Sequence, residues 1–381
     1  MSAGLIRVVH LITRLELGGA QQNTLYTVSH LNRSLFECFL VSGEGGILDA
    51  EAQQIPNLTL HFCPSLIREI RPFQDRKAYQ LLKDLLKRLK PDIVHTHSSK
   101  AGILGRIAAR EAGVPVIVHT FHGFGFHRYQ NPIVFRAYVA AERKAAASTT
   151  HMIFVSRDNW KWARELGLTR NSTASLIRSG VDSSPLLSQG ESFRDQWGIA
   201  PDRRMVGMIA CLKPQKDPLT FVAAADLVTR KLPDVHFVLA GDGEMRDAVL
   251  RRIGRMKHAE RFHFLGWIRN TEQLLSELNL VVLTSLWEGL PRVIPESTVA
   301  GIPVIASDIE GNREIIHPGR NGVLAIPGNV IDFATKIEQA LQQSWTVDPE
   351  LSAQIRNEFD IDQMVRSQEE LYCNLNSYLR V

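Results

Sequence analysis

Short apolar runs alternate along this chain with stretches whose apolar positions recur every three or four residues. IRVVHLIT, FECFLVSG, LTLHFCP, DIVHTH and VPVIVHTFH have the length and β-branched content of buried strands. AQQNTLYTVSHL, AYQLLKDLLKRL and KAGILGRIAAREA read as helices between them, and MIFVSRDNWKWARELGL continues the alternation. A Ser-, Gly- and Pro-rich stretch from Arg178 to Ser192 reads as a linker. A second series follows: RMVGMIACL, a helix over Pro218 to Lys231, VHFVLAGDG, a helix over Met245 to Met256 and RFHFLGW. It continues with a helix over Asn270 to Leu278, LNLVVLTS, a helix over Arg292 to Ala300, IPVIASD and a strand near GVLAIP. This pattern predicts an α/β protein of two Rossmann-like, doubly wound parallel-sheet domains facing a central cleft, where the strand ends would hold ligand. The expected boundaries are 1–185 and 186–358. Residues 359–381 are expected to form a C-terminal helix whose docking is open, a return to the N-terminal domain being one option.

With 381 residues, the chain exceeds what one core usually supports, which agrees with two domains. No apolar run approaches a membrane span, and LIRVVHLI, broken by Arg7 and His10 and without a cleavage pattern, reads as a first strand rather than a signal peptide. Cys38, Cys63, Cys211 and Cys373 are scattered, without CxxC spacing, and fit reduced thiols in a cytoplasmic protein. The net charge of +4 conceals an asymmetry: residues 1–190 hold 23 Lys and Arg against 14 Asp and Glu, whereas the remainder is acidic. Ile67 to Lys90 carries eight basic and three acidic residues, with Leu81, Leu82, Leu85, Leu86 and Leu89 at helical spacing. Two readings stand there: a surface helix packing leucines inward, or a basic face on anionic lipid at the inner side of the membrane. No nucleic-acid motif accompanies the charge.

The chemistry gathers where strands end. In SLWEGLPRVIPESTVAG, a strand runs into the turn Gly289-Leu290-Pro291 and then into a helix, a geometry that aims free N–H groups at an anion. Glu288 and Glu296 bracket that turn, eight residues apart, roughly 12 Å at helical rise. Gly18 and Gly19 open the first helix but do not make GxGxxG, which counts against a dinucleotide fold. His95, His97, His119, His122 and His127 are expected to meet at one sheet edge. A metal site has HxH spacing available, but the aromatics and glycines of HTFHGFGFH suit a hydrogen-bonding cleft better, with His122 lining it. Lys213 and Lys216 in ACLKPQKDP stand where a diphosphate would meet point charges, a solvated turn being the plainer reading. LAGDGE is first of all a tight turn, and DIEGNRE adds acidic groups near the same end.

With GGAQ, HTFHG, GVD, LKPQKDP, GDGE, EGLPRVIPE, GNREII and NGVL in this order, the chain resembles family 4 glycosyltransferases, retaining nucleotide-sugar enzymes of the GT-B fold, of the type that builds bacterial surface polysaccharides. The resemblance implies a metal-independent transfer, with no cofactor, from a nucleotide-diphosphate sugar to a saccharide or polyprenyl-diphosphate-linked acceptor. It places Glu288 on the donor sugar and Glu296 on the ribose. The N–H groups around Gly289 and Leu290, in the turn closed by Pro291, would take the diphosphate with Lys216, helped by Lys213 or Arg292. Gly18 and Gly19 would approach the donor, His122 would sit near the reacting sugar, and the base would lie around Trp267 and Ile268. The chain departs from the family where an Arg often follows the first strand of the second domain; Cys211 stands there instead. Three other readings are set against transfer: a nucleotide-sugar epimerase on the same architecture, a non-catalytic sugar-nucleotide binder, and a zinc hydrolase.

Overall fold

A computed structural model describes residues 4–183 and 192–377 of the chain; residues 184–191, within the expected linker, lie outside the described residues. The chain divides into two compact units. Unit 1 takes the described residues up to Gly180 together with those from Ile361, and unit 2 takes Val181 to Asp360.

Unit 1 is built on seven strands: β1 (Ile6–Arg14), β2 (Phe36–Gly43), β3 (Leu58–Phe62), β4 (Ile93–His97), β5 (Val116–Phe121), β6 (His151–Phe154) and β7 (Thr173–Leu176). Its sheet is parallel throughout, in the order β3-β2-β1-β4-β5-β6-β7. The helices of its first segment are α1 (Gly19–His30), α2 (Asp49–Gln53), α3 (Pro72–Leu89), α4 (Ser99–Ala112), α5 (Pro132–Ala146) and α6 (Arg157–Glu165). β1, β4 and β5 are buried nearly end to end, as strands covered on both faces must be. α4 lies close on the sheet because it has glycine where it crosses: a Cβ on Gly102 would stand 2.5 Å from the His119 ring. The same helix carries Arg106, which is fully buried and paired with Glu142 of α5 at 2.6 Å.

Unit 2 begins with α7 (Phe193–Gln196) and β8 (Arg204–Ile209), followed by α8 (Pro218–Lys231), β9 (Val235–Ala240) and α9 (Arg246–Ile253). It continues with β10 (Phe262–Gly266), α10 (Thr271–Glu277), β11 (Leu280–Leu283), α11 (Val293–Val299), β12 (Val304–Ser307) and α12 (Glu310–Arg313). β13 (Gly322–Ala325), α13 (Val330–Gln342) and α14 (Pro349–Glu358) complete it. Its six parallel strands run in the order β10-β9-β8-β11-β12-β13, around a core that includes Phe221, Phe237, Val282 and Phe333. In both sheets the order reverses beside the first strand, between β1 and β4 and between β8 and β11. Open parallel sheets take ligand outside the carboxyl ends of such a switch point.

The last described helix, α15 (Ile361–Ser377), belongs to unit 1 and buries Ile361, Met364, Val365 and Tyr372 against Val8, Phe36 and Ile93. Within unit 2, Val181 N–H donates to the Phe359 carbonyl at 2.7 Å. Two details differ from the sequence expectations. The helix expected over Arg292 to Ala300 covers only Val293–Val299, with Arg292 and Ala300 as its caps, so helical rise does not measure the distance from Glu288 to Glu296. Leu81 of α3 faces outward at 42% exposure, while Ala78, Leu82 and Leu86 face in.

Candidate active site

In unit 2 most of the residues singled out by the sequence gather around the β8–β11 switch point. β8 ends at Ile209, and the chain passes Cys211 and Lys213 before a single 3-10 turn, Pro214–Lys216. That turn is fixed to the segment following β11: Thr284 Oγ1 donates to the carbonyls of Lys216 and Asp217 at 2.9 and 2.8 Å, and Leu286 N–H donates to Gln215 O at 2.8 Å. With the two loops so joined, the Lys216 ammonium forms an ion pair with Glu288. The Glu288 side chain is only 6% exposed and also accepts from Ser285 Oγ at 2.7 Å. Gln215 donates to the Trp287 carbonyl at 2.9 Å and reaches Glu288 at 3.4 Å. A carboxylate this buried is stable only with such partners.

Gly289, Leu290 and Pro291 are buried in the following turn, and α12 closes on it: a Cβ on Gly311 would stand 2.7 Å from the Gly289 carbonyl. Arg292 and Glu296 pair at 2.9 Å. Burial raises the Glu296 pKa, Arg292 opposes that rise, and Glu272 adds to it. Trp267, 39% exposed, and Ile268 follow β10, on the far side of β9 from β8. Gly241 and Gly243, turn residues in the sequence reading, hold φ of +135° and +153°, so glycine is needed for the turn itself. Ser285, Gln215 and Gly311 were not singled out by the sequence, for a serine, a glutamine and a glycine announce nothing until their neighbours are known.

In unit 1, Gly18 is the N-cap of α1 and Gly19 its first residue, just past the end of β1. His122 follows β5 and lines a narrow pocket with Asn23, Thr24, His97, Arg178 and Ser179. The five histidines expected at one edge divide instead. His95 and His97 point to the α15 face of the sheet, where His95 Nδ1 meets the Tyr372 hydroxyl at 2.5 Å. His119 lies under α4 and bonds Thr96 Oγ1 at 2.9 Å. The period-two alternation of strands separates residues at odd and even positions, and neighbouring strands in register keep that separation. His127 lies past β5, its backbone N–H held by Gln130 Oε1 at 3.0 Å.

His10, in register with His95 on the adjacent strand, joins the buried group. Desolvation lowers the pKa of His10 to about 3, helped by Arg33, and holds His95, His97 and His119 well below the ordinary histidine range. His10, His95 and His97 have donor atoms within 4.8 Å of one another, close enough to share a metal ion. Their ring nitrogens are already engaged with one another, with His122, Tyr372 and Thr120.

Residues 17–184 match Glycosyltransferase Family 4, and residues 189–358 match Glycosyl transferases group 1. Over 334 residues the chain is 34% identical to the UDP-Gal:alpha-D-GlcNAc-diphosphoundecaprenol alpha-1,3-galactosyltransferase of Escherichia coli, with 86% of each chain covered. Over 282 residues it is 25% identical to the N,N'-diacetylbacillosaminyl-diphospho-undecaprenol alpha-1,3-N-acetylgalactosaminyltransferase of Campylobacter jejuni, covering 72% of this chain and 74% of that one. The crystal structure of Anabaena HepE in complex with UDP and glucose superposes with a TM-score of 0.82 at 20% identity, covering 97% of this chain and all of the other. That likeness bears out the GT-B expectation for the fold.

Proposed function

The chain belongs to glycosyltransferase family 4, and from that premise we propose that it moves a hexose from a UDP-sugar to a polyprenyl-diphosphate-linked saccharide during polysaccharide synthesis, with retention of configuration. The activities for which the Escherichia coli and Campylobacter jejuni relatives are named support the acceptor class, and the former supports the uridine donor. Family membership supports transfer over the epimerase, binder and hydrolase readings.

The observation that carries the site is the Lys216–Glu288 pair at the unit 2 switch point. Transfer breaks the bond between the anomeric carbon and a phosphate oxygen, and the electron pair leaves with the diphosphate. The acceptor oxygen bonds the same carbon on the same face, and its proton passes to the departing phosphate oxygen. Two groups of charge must then be steadied, the leaving diphosphate and a cation-like sugar. Lys216 and the N–H groups of Gly289 and Leu290 take the first, with Lys213 and Arg292 in support. With Cys211 where the family often has Arg, Lys216 is the principal cation, and no metal is required. Glu288 holds the sugar hydroxyls, Glu296 the ribose, and Trp267 and Ile268 the base. Gly18 and Gly19 approach the donor, and His122 attends the reacting sugar.

The protein also rests on anionic membrane through the start of α3. Phe73 is 92% and Ile70 66% exposed, and Arg71, Arg76 and Lys77 are exposed beside them. Apolar side chains next to cations suit a headgroup boundary. Among the described residues no helix is long and apolar enough to cross a membrane.

The decisive experiment is Glu288→Gln, assayed for transfer from UDP-sugars to a polyprenyl-diphosphate saccharide. Turnover should fall by about two orders of magnitude or more in a chain that still folds, with a lower melting temperature because Lys216 loses its charged partner. Wild-type turnover in that variant would remove Glu288 from the site.

A further inference from the structure

The imidazoles on the α15 face of unit 1 stand in a line that ends at His122. His122 Nε2 lies 3.2 Å from His97 Nδ1, and His97 Nε2 lies 3.1 Å from His10 Nδ1. The remaining His10 nitrogen, Nε2, lies 3.4 Å from the Tyr372 hydroxyl. Both inner rings therefore use both of their nitrogens within one line. Their environment keeps them neutral: His10 is completely buried, with Arg33 nearby, and His97 is 3% exposed among other histidines.

A neutral imidazole carries one N–H. If it donates through one nitrogen, it accepts through the other, so every hydrogen bond in the line must point the same way. Two settings exist. If Tyr372 donates to His10 Nε2, then His10 donates to His97, His97 donates to His122 Nε2, and the His122 proton sits on Nδ1. If Tyr372 donates elsewhere, its oxygen accepts from His10 Nε2–H, the line reverses, and His122 carries its proton on Nε2.

The surroundings of Tyr372 select between them. Its hydroxyl is 2.5 Å from His95 Nδ1, against 3.4 Å to His10 and 3.3 Å to Gln368 Oε1. His95 can take that proton because its other nitrogen lies 2.7 Å from Thr120 Oγ1, an acceptor for its own N–H. With His95 donating to Thr120 and accepting from the phenol across the shortest of these contacts, the phenol oxygen is left to accept from His10.

We propose that Tyr372, His10 and His97 are positioning residues that fix the tautomer of His122, with the proton on Nε2 and Nδ1 as the acceptor. The consequence for transfer rests on the reading of His122 as the group at the reacting sugar; the tautomer itself does not. An orienting hydrogen bond that sets the tautomer of a catalytic histidine can be worth orders of magnitude in rate.

The test is nitrogen-15 NMR of histidine-labelled full chain, using long-range couplings to assign the protonated nitrogen of His122, with Tyr372→Phe and His97→Gln as variants. The wild type should show His122 protonated on Nε2. Either variant should convert it to a mixture of tautomers, with kcat falling roughly tenfold or more and donor KM nearly unchanged. His97→Gln carries the test if Tyr372→Phe does not fold. A wild-type His122 protonated on Nδ1, or one whose tautomer is unmoved in the folded variants, overturns the proposal. His122→Ala at wild-type rate would instead remove the role of His122 in transfer, with the tautomer measurement unaffected.

Discussion

Lys216 and Glu288, 72 positions apart, are ion-paired at the end of β8, and Ser285 and Gln215 hold the same carboxylate. An arriving diphosphate would therefore compete with Glu288 for the ammonium. Lys216→Ala should raise donor KM and reduce kcat/KM by about two to three orders of magnitude, since a cation on the leaving group acts most strongly in the transition state. Steady-state kinetics with a UDP-sugar check this, and unchanged kcat/KM would assign the leaving group to another cation. Removing one partner of a largely buried pair also lowers stability, so urea titration belongs beside the kinetics.

Gly311 offers a probe of the turn that touches no charge. A Cβ there would stand 2.7 Å from the Gly289 carbonyl, and backbone cannot give way as a flexible side chain does. Gly311→Ala should cost about 1–3 kcal/mol in urea unfolding and raise donor KM by displacing the turn. Wild-type values for both would show that the turn tolerates movement.

Stability should fall in mild acid. Burial lowers His151 to about 4, its two ring nitrogens already engaged by Thr173 and Ser175, and it lowers His10 to about 3. Above the unfolded pKa, near 6.5, this contribution is complete. As pH falls towards the folded pKa, the unfolded chain takes up protons that the folded one refuses, and stability is lost. For His151 alone the loss reaches about 3 kcal/mol by pH 4. The lowered carboxylates, among them Asp234 and Asp348, act in the same direction but only near pH 4 and below, while the raised Glu296 acts against them. Melting temperatures between pH 7 and 5 should therefore drop, and His151→Gln should flatten the slope; a level profile would contradict this.

Vesicle sedimentation tests the membrane face. The chain should sediment with anionic vesicles at low salt and be released at high salt, because exposed charges are screened. Phe73→Ser combined with Arg76→Glu should abolish it, leaving activity on a short water-soluble acceptor analogue intact. Indifference to such vesicles would end that reading.

The alternation of apolar runs made most of both sheets legible, including β1 to β6 and β8 to β13. β7 was not, because TASL has only one large apolar residue and pairs on one side alone. α5 escaped as well, although Asn131 caps it and Pro132 opens it, for its apolar Ile133 and Val134 are exposed while its buried face is Val139, Glu142, Ala145 and Ala146. The carboxylates of unit 2 were legible as types at strand ends, whereas their partners depended on which loops the β8–β11 pairing brings together. His10 and Tyr372 had no motif at all. Register and a helix from the far end of the chain put them in contact, and neither can be read from nearby residues.

The path of α15 has a consequence for biosynthesis. Chains emerge from the ribosome N-terminal end first, and domains tend to fold as they appear. Here the face of β1 that receives Tyr372 stays uncovered until α15 has been made, while unit 2 can fold complete in the interval. A message cut short before residue 361 would yield a nascent product with an intact second half and a first half lacking its seal, a ready client for chaperones.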